Sequence, residues 1–203
     1  MFFLLSLFVS PASSGGIDYG LKLGLNLASF TGNDISNHDK KAGVAAGLYF
    51  EKGLSSSLSF QIEALYSQKG DKGSFFLNDS LVNSTNKIEY LEVPLLWKLR
   101  PREHYDVNLF FNAGLVPAWK ISSRHIEESF DTLKSGEIVN LRNFDLGLLL
   151  AWGFDIKIGS NKSSLEFRIT RSLENIYENE DKFLDIKNSV ISVLISSNFR
   201  KFT

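Results

Sequence analysis

The stretch Phe144–Ile158, FDLGLLLAWGFDIKI, alternates between large apolar residues and smaller or more polar ones along its whole length. Because successive side chains of a β-strand point to opposite faces, its even-numbered residues share one uniformly large, apolar face. The other face is small, polar or charged, with Leu149 as the exception. Ordinary sheet strands have about 5–6 residues, whereas about 9–11 are needed to cross a bilayer in a barrel. The stretch therefore predicts a transmembrane β-strand.

The same alternation recurs in seven other segments, and no convincing amphipathic helix lies between them. These segments are 17–28, 43–52, 58–67, 90–99, 107–120, 164–173 and 191–199. Short turns at 53–56, 101–104 and 159–163 alternate with long polar connections at 30–41, 70–87, 121–142 and 174–187. Short turns at one end and long loops at the other are typical of outer-membrane barrels. We therefore predict an all-β fold, an eight-stranded antiparallel up-and-down transmembrane β-barrel.

Side-chain volume indicates which face of these strands points inward. A soluble barrel would place the apolar face inside, but the interior of an eight-stranded barrel is only just wide enough for side chains to fill. The apolar face carries all three Trp residues and many Phe, Leu and Ile residues, which is too much volume for that space. The opposite face carries glycines and charged residues, which we expect to pair as a lumen charge network. The network residues are Lys22, Glu63, Glu92, Lys98, Asp155, Lys157, Glu166 and Arg168.

The apolar face is accordingly expected to meet lipid, because closure of the barrel leaves no unpaired strand edge in the bilayer. Lipid-facing positions include Leu21, Leu23, Leu148, Leu150, Phe167 and Val193. Aromatic residues are expected at the two membrane–water interfaces. We expect Tyr19, Trp97, Tyr105, Phe154 and Phe199 near the periplasmic rim, and Phe30, Tyr66, Trp119 and Phe144 near the outer rim.

Two local predictions concern strand pairing. Pro94 lies mid-strand and lacks a backbone donor, so a β-bulge is expected beside it. In the hairpin that follows Phe144–Ile158, charge complementarity favours a register with Asp155 opposite Arg168 and Lys157 opposite Glu166. That register leaves a four-residue turn at 160–163, within the usual range for hairpins.

Composition sets broad limits on location and partners. The chain has 203 residues, no Cys and a formal net charge of −1, so there is no electrostatic case for nucleic acid. Residues 2–9 are apolar and are followed by the small residues of 10–14, a pattern that predicts a signal peptide at 1–14. The usual basic start is missing, so this leader is either atypical or truncated. The barrel domain is expected at 15–203.

No catalytic, cofactor or metal site is expected from the motifs. His38 and His125 lie in long connections, whereas His104 lies in a short turn at the opposite end. No Ser-His-Asp, HExxH or carboxylate-dyad arrangement is legible among residues expected at the same level along the barrel axis. The one cluster of note is His125 with Glu127, Glu128 and Asp131, and charge runs in loops are usually solvated.

Several stretches resemble the PorT-type outer-membrane β-barrel family of Bacteroidetes. They are GLKLGLN at Gly20–Asn26, LYFEKGLSSSLSFQIEALYSQKG at Leu48–Gly70, YLEVPLLWK at Tyr90–Lys98, FDLGLLLAWGFD at Phe144–Asp155 and NSVISVLISSNF at Asn188–Phe199. The resemblance covers nearly the whole mature chain and implies a barrel in the outer membrane. It departs from the family at Arg171, where relatives tend to carry an aromatic residue, and at the chain end, which does not close on a terminal aromatic.

Together, pattern and resemblance predict a structural, anchoring or envelope- and secretion-assembly protein without catalytic activity. The expected partners are outer-membrane lipid, the barrel-assembly machinery during biogenesis, and envelope or secretion-system proteins. A narrow channel or small-ligand-binding barrel is the main alternative. A rim enzyme acting on lipid is the third.

Overall fold

The computed structural model describes residues 17–32, 38–77, 80–101, 107–129, 132–138, 140–158, 161–177 and 186–199. The expected leader at 1–14 lies outside the described residues, as do His104, Tyr105 and Asp131. In the described part of the chain, no helix has the length and apolarity needed to cross a membrane.

The described residues contain ten β-strands, which form one antiparallel sheet. They are β1 Ile17–Thr31, β2 His38–Gly53, β3 Leu58–Leu77, β4 Ser80–Glu92, β5 Leu95–Leu99, β6 Val107–Ser129, β7 Thr132–Gly136, β8 Phe144–Ile158, β9 Asn161–Ser172 and β10 Lys187–Asn198. β4 and β5 are two halves of one crossing, since both lie between β3 and β6. β7 pairs with the outer end of β6. The described strands thus make eight crossings, and the predicted fold class is confirmed.

The sheet closes on itself because β1 pairs with both β2 and β10. Following paired residues around the ring from Asp18 leads back to β1 at Ala28, ten residues further along the strand. Such a stagger over eight crossings tilts the strands steeply and leaves an interior just wide enough for side chains. Gly47 shows how close the strands lie, since a Cβ there would come within 1.9 Å of the Ala64 carbonyl oxygen.

The bulge expected beside Pro94 was a wrong prediction. The strand is interrupted at 93–94, but the register with β3 and β6 is the same on both sides of the interruption. The backbone oxygen of Pro94 still accepts from Glu63, and only the donor that Pro lacks is missing from the ladder. The register shift lies further along, between Glu89 and Tyr90, where β6 contains one extra residue. Before this shift the even-numbered side chains of β6 point into the barrel, and beyond it the odd-numbered ones do. Ser123 is therefore buried and Arg124 exposed.

Two of the expected long connections are largely strand. β3 and β4 continue pairing to Leu77 and Ser80, and β6 continues beyond the bulge to pair with β4 and β7. We call the strand segments 70–77, 80–89, 122–129 and 132–136 the outer extension. It projects beyond the barrel at the end opposite the short turns.

The register proposed for the β8–β9 hairpin was also a wrong prediction. Ile158 pairs with Asn161, so Asp155 lies opposite Ser164 and Lys157 opposite Lys162. The predicted register placed the charge partner of Asp155, Arg168, directly opposite it on the neighbouring strand. In the folded barrel Asp155 pairs with Arg100 from another part of the ring, and the cation of β9 that reaches it is Lys162 rather than Arg168.

The outer wall is apolar, and aromatic residues are grouped near both of its rims. Rings of Tyr19 and Phe199 lie 6.0 Å apart at the end with the short turns, whereas those of Trp119 and Phe144 lie 5.5 Å apart at the other. Phe30 was wrongly placed in the outer belt. It is 5% exposed because it shares its strand face with the buried residues of even number on β1.

Candidate functional site

The lumen contains three ionic clusters arranged along the barrel axis. β3 reaches each cluster in turn, with Ser59 near the short turns, Glu63 at mid-barrel and Lys69 near the outer mouth. We call the three the basal, central and outer clusters. Their members come from different strands, so closure of the ring is what brings them together.

The central cluster consists of two cations and two carboxylates. Lys22 Nζ lies 2.5 Å from Glu63 Oε1 and 2.6 Å from Glu166 Oε2. Arg168 donates to both oxygens of Glu63, at 2.6 and 2.8 Å, and through Nε to Glu166 at 2.7 Å. Asn112 donates a further hydrogen bond to Glu166. The formal charges cancel, and each buried ion has several partners, which is the condition under which buried charges are tolerated.

The basal cluster is built around Arg100. Its guanidinium donates to both oxygens of Glu51, to Ser59 and, at 2.8 Å, to Asp155 Oδ2. Lys98 lies 3.3 Å from Glu51 and 3.5 Å from Asp155, and its ammonium is 4.0 Å from the centre of the Phe110 ring. Lys162 reaches Asp155 at 3.1 Å. These contacts fill the end of the lumen nearest the short turns.

The outer cluster carries an excess of acid. Lys69 Nζ lies 2.7 Å from Glu92 Oε1 and 3.9 Å from Asp145 Oδ2, and 4.8 Å from the centre of the Tyr90 ring. Ser172 and Asn188 donate to Asp145 at 2.7 and 3.0 Å. Hydrogen bonds therefore supply part of the compensation that a second cation would otherwise give.

Apolar side chains occupy the outer mouth and the space between clusters. A buried group packs between the charged layers: Leu96, Val116, Leu149 and Ala151. A second buried group, which we call the outer cap, closes the mouth: Phe30, Ile88, Tyr90, Ala118, Ile138, Leu141 and Ile176, with Tyr177 and Ile186 packed against it. A bridge between Leu141 and Tyr177 joins two connecting segments over the mouth, and burial there raises the pKa of the Tyr177 phenol.

The space left between the central and outer clusters is very small. A cavity of about 10 Å³ lies there, lined by polar groups that include Asn26, Ser67, Lys69 and Arg168. This is about the volume one water molecule requires. A solute larger than water does not fit this part of the lumen.

The residues predicted as one lumen network fall into all three clusters. Lys22, Glu63, Glu166 and Arg168 make up the central cluster, Lys98 and Asp155 belong to the basal one and Glu92 to the outer one. The side chain of Lys157 lies outside the described residues. Sequence reasoning missed Glu51, Lys69, Arg100 and Asp145. The signal was available, since continuing the alternation from Glu63 reaches Lys69 and continuing it from Lys98 reaches Arg100.

His125 takes part in a polar row across the outer extension. Asp71, Asn86 and His125 are paired in register on β3, β4 and β6. Asn86 donates to Asp71 at 2.8 Å, so its amide oxygen faces His125 Nδ1 at 2.6 Å, and His125 Nε2 lies 3.2 Å from Glu127. Both ring nitrogens therefore have side-chain partners, and the row ties the extension together. Among the described residues, no three His, Cys, Asp or Glu side chains form a metal-ligand group.

A closed antiparallel barrel with an apolar outer wall and a charged interior defines a transmembrane β-barrel, the class found in bacterial outer membranes. The chain belongs to the outer membrane protein beta-barrel domain family, whose model matches residues 10–178. It is a protein of the bacterial outer membrane.

The fold is similar to that of the solved outer-membrane protein OprG, and two further solved structures were matched at lower scores. OprG of Pseudomonas aeruginosa is 13% identical, with 90% of this chain and 96% of that chain covered and a TM-score of 0.54. Neisserial surface protein A is 9% identical, covering 91% of this chain and 100% of that chain at a TM-score of 0.46. Ail of Yersinia pestis is 11% identical, covering 90% and 98% at a TM-score of 0.42. No curated protein sequence matches.

Proposed function

We propose that this protein is a non-conducting barrel with a structural, anchoring or envelope-assembly role. Its membrane part serves as a rigid base, and its outer extension is the surface offered to envelope or secretion-system proteins. The observation that carries the proposal is the filled lumen. Three ionic clusters, the apolar layer and the outer cap occupy the axis, with a cavity of about 10 Å³ between two of the clusters.

A catalytic role is less well supported by the same residues. For His125 to act as a general base, one of its ring nitrogens must be directed at the substrate, whereas both face Asn86 and Glu127. Glu128 is exposed on the other face of the strand. A scaffold role requires no such chemistry.

The biogenesis we propose follows from residence in the outer membrane. Residues 1–14 act as an export leader, and the barrel-assembly machinery inserts 15–203. The stretches at Gly20–Asn26 and Tyr90–Lys98 support membership of the PorT-type subgroup of Bacteroidetes, whose reference member belongs to a secretion and gliding system.

We expect the purified protein to give no stable unit conductance in planar bilayers, because charged and apolar side chains fill the lumen. Heat-modifiable gel migration of the same preparation establishes that the barrel is folded, and a larger porin measured in the same bilayers establishes sensitivity. Discrete, reproducible conductance steps from folded monomers would favour the narrow-channel alternative and reject this proposal.

A photo-crosslinking residue at Asn83, exposed in the outer extension, is expected to give protein adducts in native outer membranes. The matched position is Leu23, which is also exposed in the structure but lies on the apolar wall. Lipid rather than protein should surround Leu23, so protein adducts should be confined to Asn83. Adducts absent at both positions, or equally frequent at both, contradict a partner-binding extension.

A further inference from the structure

Four cations lie close together just above the barrel wall, and three of them are on the outward face of the strands. Lys87 on β4 pairs in register with Gly70 on β3 and with Arg124 on β6. Residues paired in register share a face, and Lys72 shares it because it lies two residues from Gly70. The aliphatic part of the Lys41 side chain lies beside Gly70, since a Cβ at Gly70 would be 3.4 Å from Lys41 Cδ. We call this group the basic row.

Positive charge exceeds negative charge in the basic row. Glu89 lies 2.7 Å from Lys87, and Asp39 lies opposite Lys72 in register. Glu137 lines a concavity beside Arg124, so four cations face three carboxylates and one positive charge is in excess. Like charges held together on a sheet face repel one another, so an anion bound among them would be stabilising.

Lys41 is both buried and close to the other cations of the basic row. Its side chain is 7% exposed, and its ammonium contacts the Ala42 carbonyl at 3.5 Å. Burial, followed by the positive charges of Lys87 and Lys72, lowers the pKa of Lys41. An anion placed between these ammonium groups would remove the repulsion and favour the charged form of each.

The height of the basic row matches that of lipid head groups. Lys87 lies four residues along β4 from Leu91, an exposed residue of the apolar wall, and Arg124 lies beyond Trp119 of the outer aromatic belt on β6. Four residues span about 13 Å of strand, and the strand tilt reduces this to roughly 10 Å above the belt. Aromatic belts sit at the head-group level, so the basic row stands at the outer edge of that layer.

A polar concavity opens beside Arg124. It has a volume of about 590 Å³, and Ser122 and Ser135 contribute hydroxyl groups to its lining, with Glu137 at one side. Hydroxyl groups next to a guanidinium suit a phosphorylated sugar better than a bare anion, because a sugar has several hydroxyl groups to pair with them.

We propose that Lys41, Lys72, Lys87 and Arg124 bind the phosphate groups of a phosphorylated glycolipid in the outer leaflet of the membrane. The proposal depends on residence in the outer membrane and is independent of the non-conducting role. Guanidinium and ammonium groups form charge-assisted hydrogen bonds with phosphate, the stronger class of hydrogen bond. The bound lipid would hold the outer extension at a fixed height above the bilayer.

Calorimetric titration of the folded full-length barrel in zwitterionic micelles tests the proposal, with bisphosphorylated lipid A as the probe. Lys72→Gln combined with Arg124→Gln should weaken binding at least about tenfold, since two charge-assisted contacts are lost. The matched control is Lys52→Gln with Lys134→Gln, which removes two exposed cations elsewhere: Lys52 is at the other rim, and Lys134 pairs with Glu127 on the opposite face of the extension. Binding by the control should stay within about twofold of the unmodified protein.

Two further arms use the unmodified protein, so they remain informative even where a variant fails to fold. Dephosphorylated lipid A should bind at least about tenfold more weakly than the phosphorylated form. Inorganic phosphate at the same concentration should leave lipid A binding unchanged. Equal affinity for both lipids, unchanged affinity in the Lys72–Arg124 variant, or displacement of lipid A by inorganic phosphate would each overturn the assignment, the last by indicating a site for free phosphate.

Discussion

Glu63→Gln is expected to lower the free energy of unfolding of the barrel by about 3–5 kcal/mol. Glu63 is fully buried and accepts from Arg168 through both carboxylate oxygens and from Lys22 through one. A neutral amide leaves two buried cations to share one remaining carboxylate, Glu166. Leaving a buried charge without a partner costs more free energy than the intact ion pair contributed. The loss of stability should therefore exceed the loss caused by breaking any exposed ion pair.

Urea unfolding in lipid vesicles, followed by tryptophan fluorescence, measures this change. The matched control is Glu174→Gln, which removes the exposed ion pair between Glu174 and Arg142. Exposed pairs contribute about 0–1 kcal/mol, so this control should unfold close to the unmodified protein. Equal losses in the two variants would show that the central cluster contributes no more than a surface contact.

A double-mutant cycle on Glu63 and Arg168 separates the pair from its surroundings. Arg168→Gln alone leaves Glu63 and Glu166 with Lys22 as their remaining cation. The double variant removes one charge of each sign, so it should be less destabilised than the sum of the single variants. Simple additivity would mean that the short distances between these side chains carry no coupling energy.

Leu150→Arg is expected to cost about 2–4 kcal/mol of barrel stability in a bilayer. Leu150 is 59% exposed on the outer wall, and its register partner Ile169 is 60% exposed. Both stand well inside the apolar band, between the belts of Trp97 and Trp119. A guanidinium at this depth must either lose its hydrating water or thin the bilayer locally so that water and head groups reach it.

The control is a leucine-to-arginine substitution nearer the outer rim of the barrel, at Leu173. Leu173 is also exposed, but it follows β9 and donates its backbone N–H to Leu146 near the outer belt. The cost of an arginine falls to about 0–1 kcal/mol near the interface, so Leu173→Arg should be tolerated. Arg171 already lies two residues away with its side chain exposed, which fits a position where a long cation can reach the head groups. Folding yield into vesicles and urea midpoints provide the comparison, and equal costs at 150 and 173 would reject the assigned depths.

Both predictions depend on one physical feature, the separation of charge inside from apolar surface outside. A narrow barrel cannot hydrate its interior charges, so they must neutralise one another. Pairs formed across the lumen tie distant strands together, as Lys22 of β1 does with Glu63 of β3 and Glu166 of β9. The ionic interior therefore both excludes solutes and fixes the shape of the barrel, as a rigid base for the outer extension requires.

The sequence alone determined the fold class, the number of crossings and the face to which most side chains point. Period-2 alternation is a local property, and in Phe144–Ile158 it is nearly free of exceptions. It also showed that Glu63 and Arg168 point inward, because their parity on each strand is unambiguous. The same rule, applied consistently, would have placed Phe30 inside with Asn26.

Only the tertiary structure decided which charges meet. Alternation fixes a face but not a register, and the pairing of Ile158 with Asn161 places Asp155 opposite Ser164 rather than Arg168. Pairing across the lumen depends on the ten-residue stagger of the closed ring, a property of all eight crossings together. For that reason the partnership of Asp155 with Arg100, and the alignment of Lys87 with Arg124, could not be obtained from any single segment.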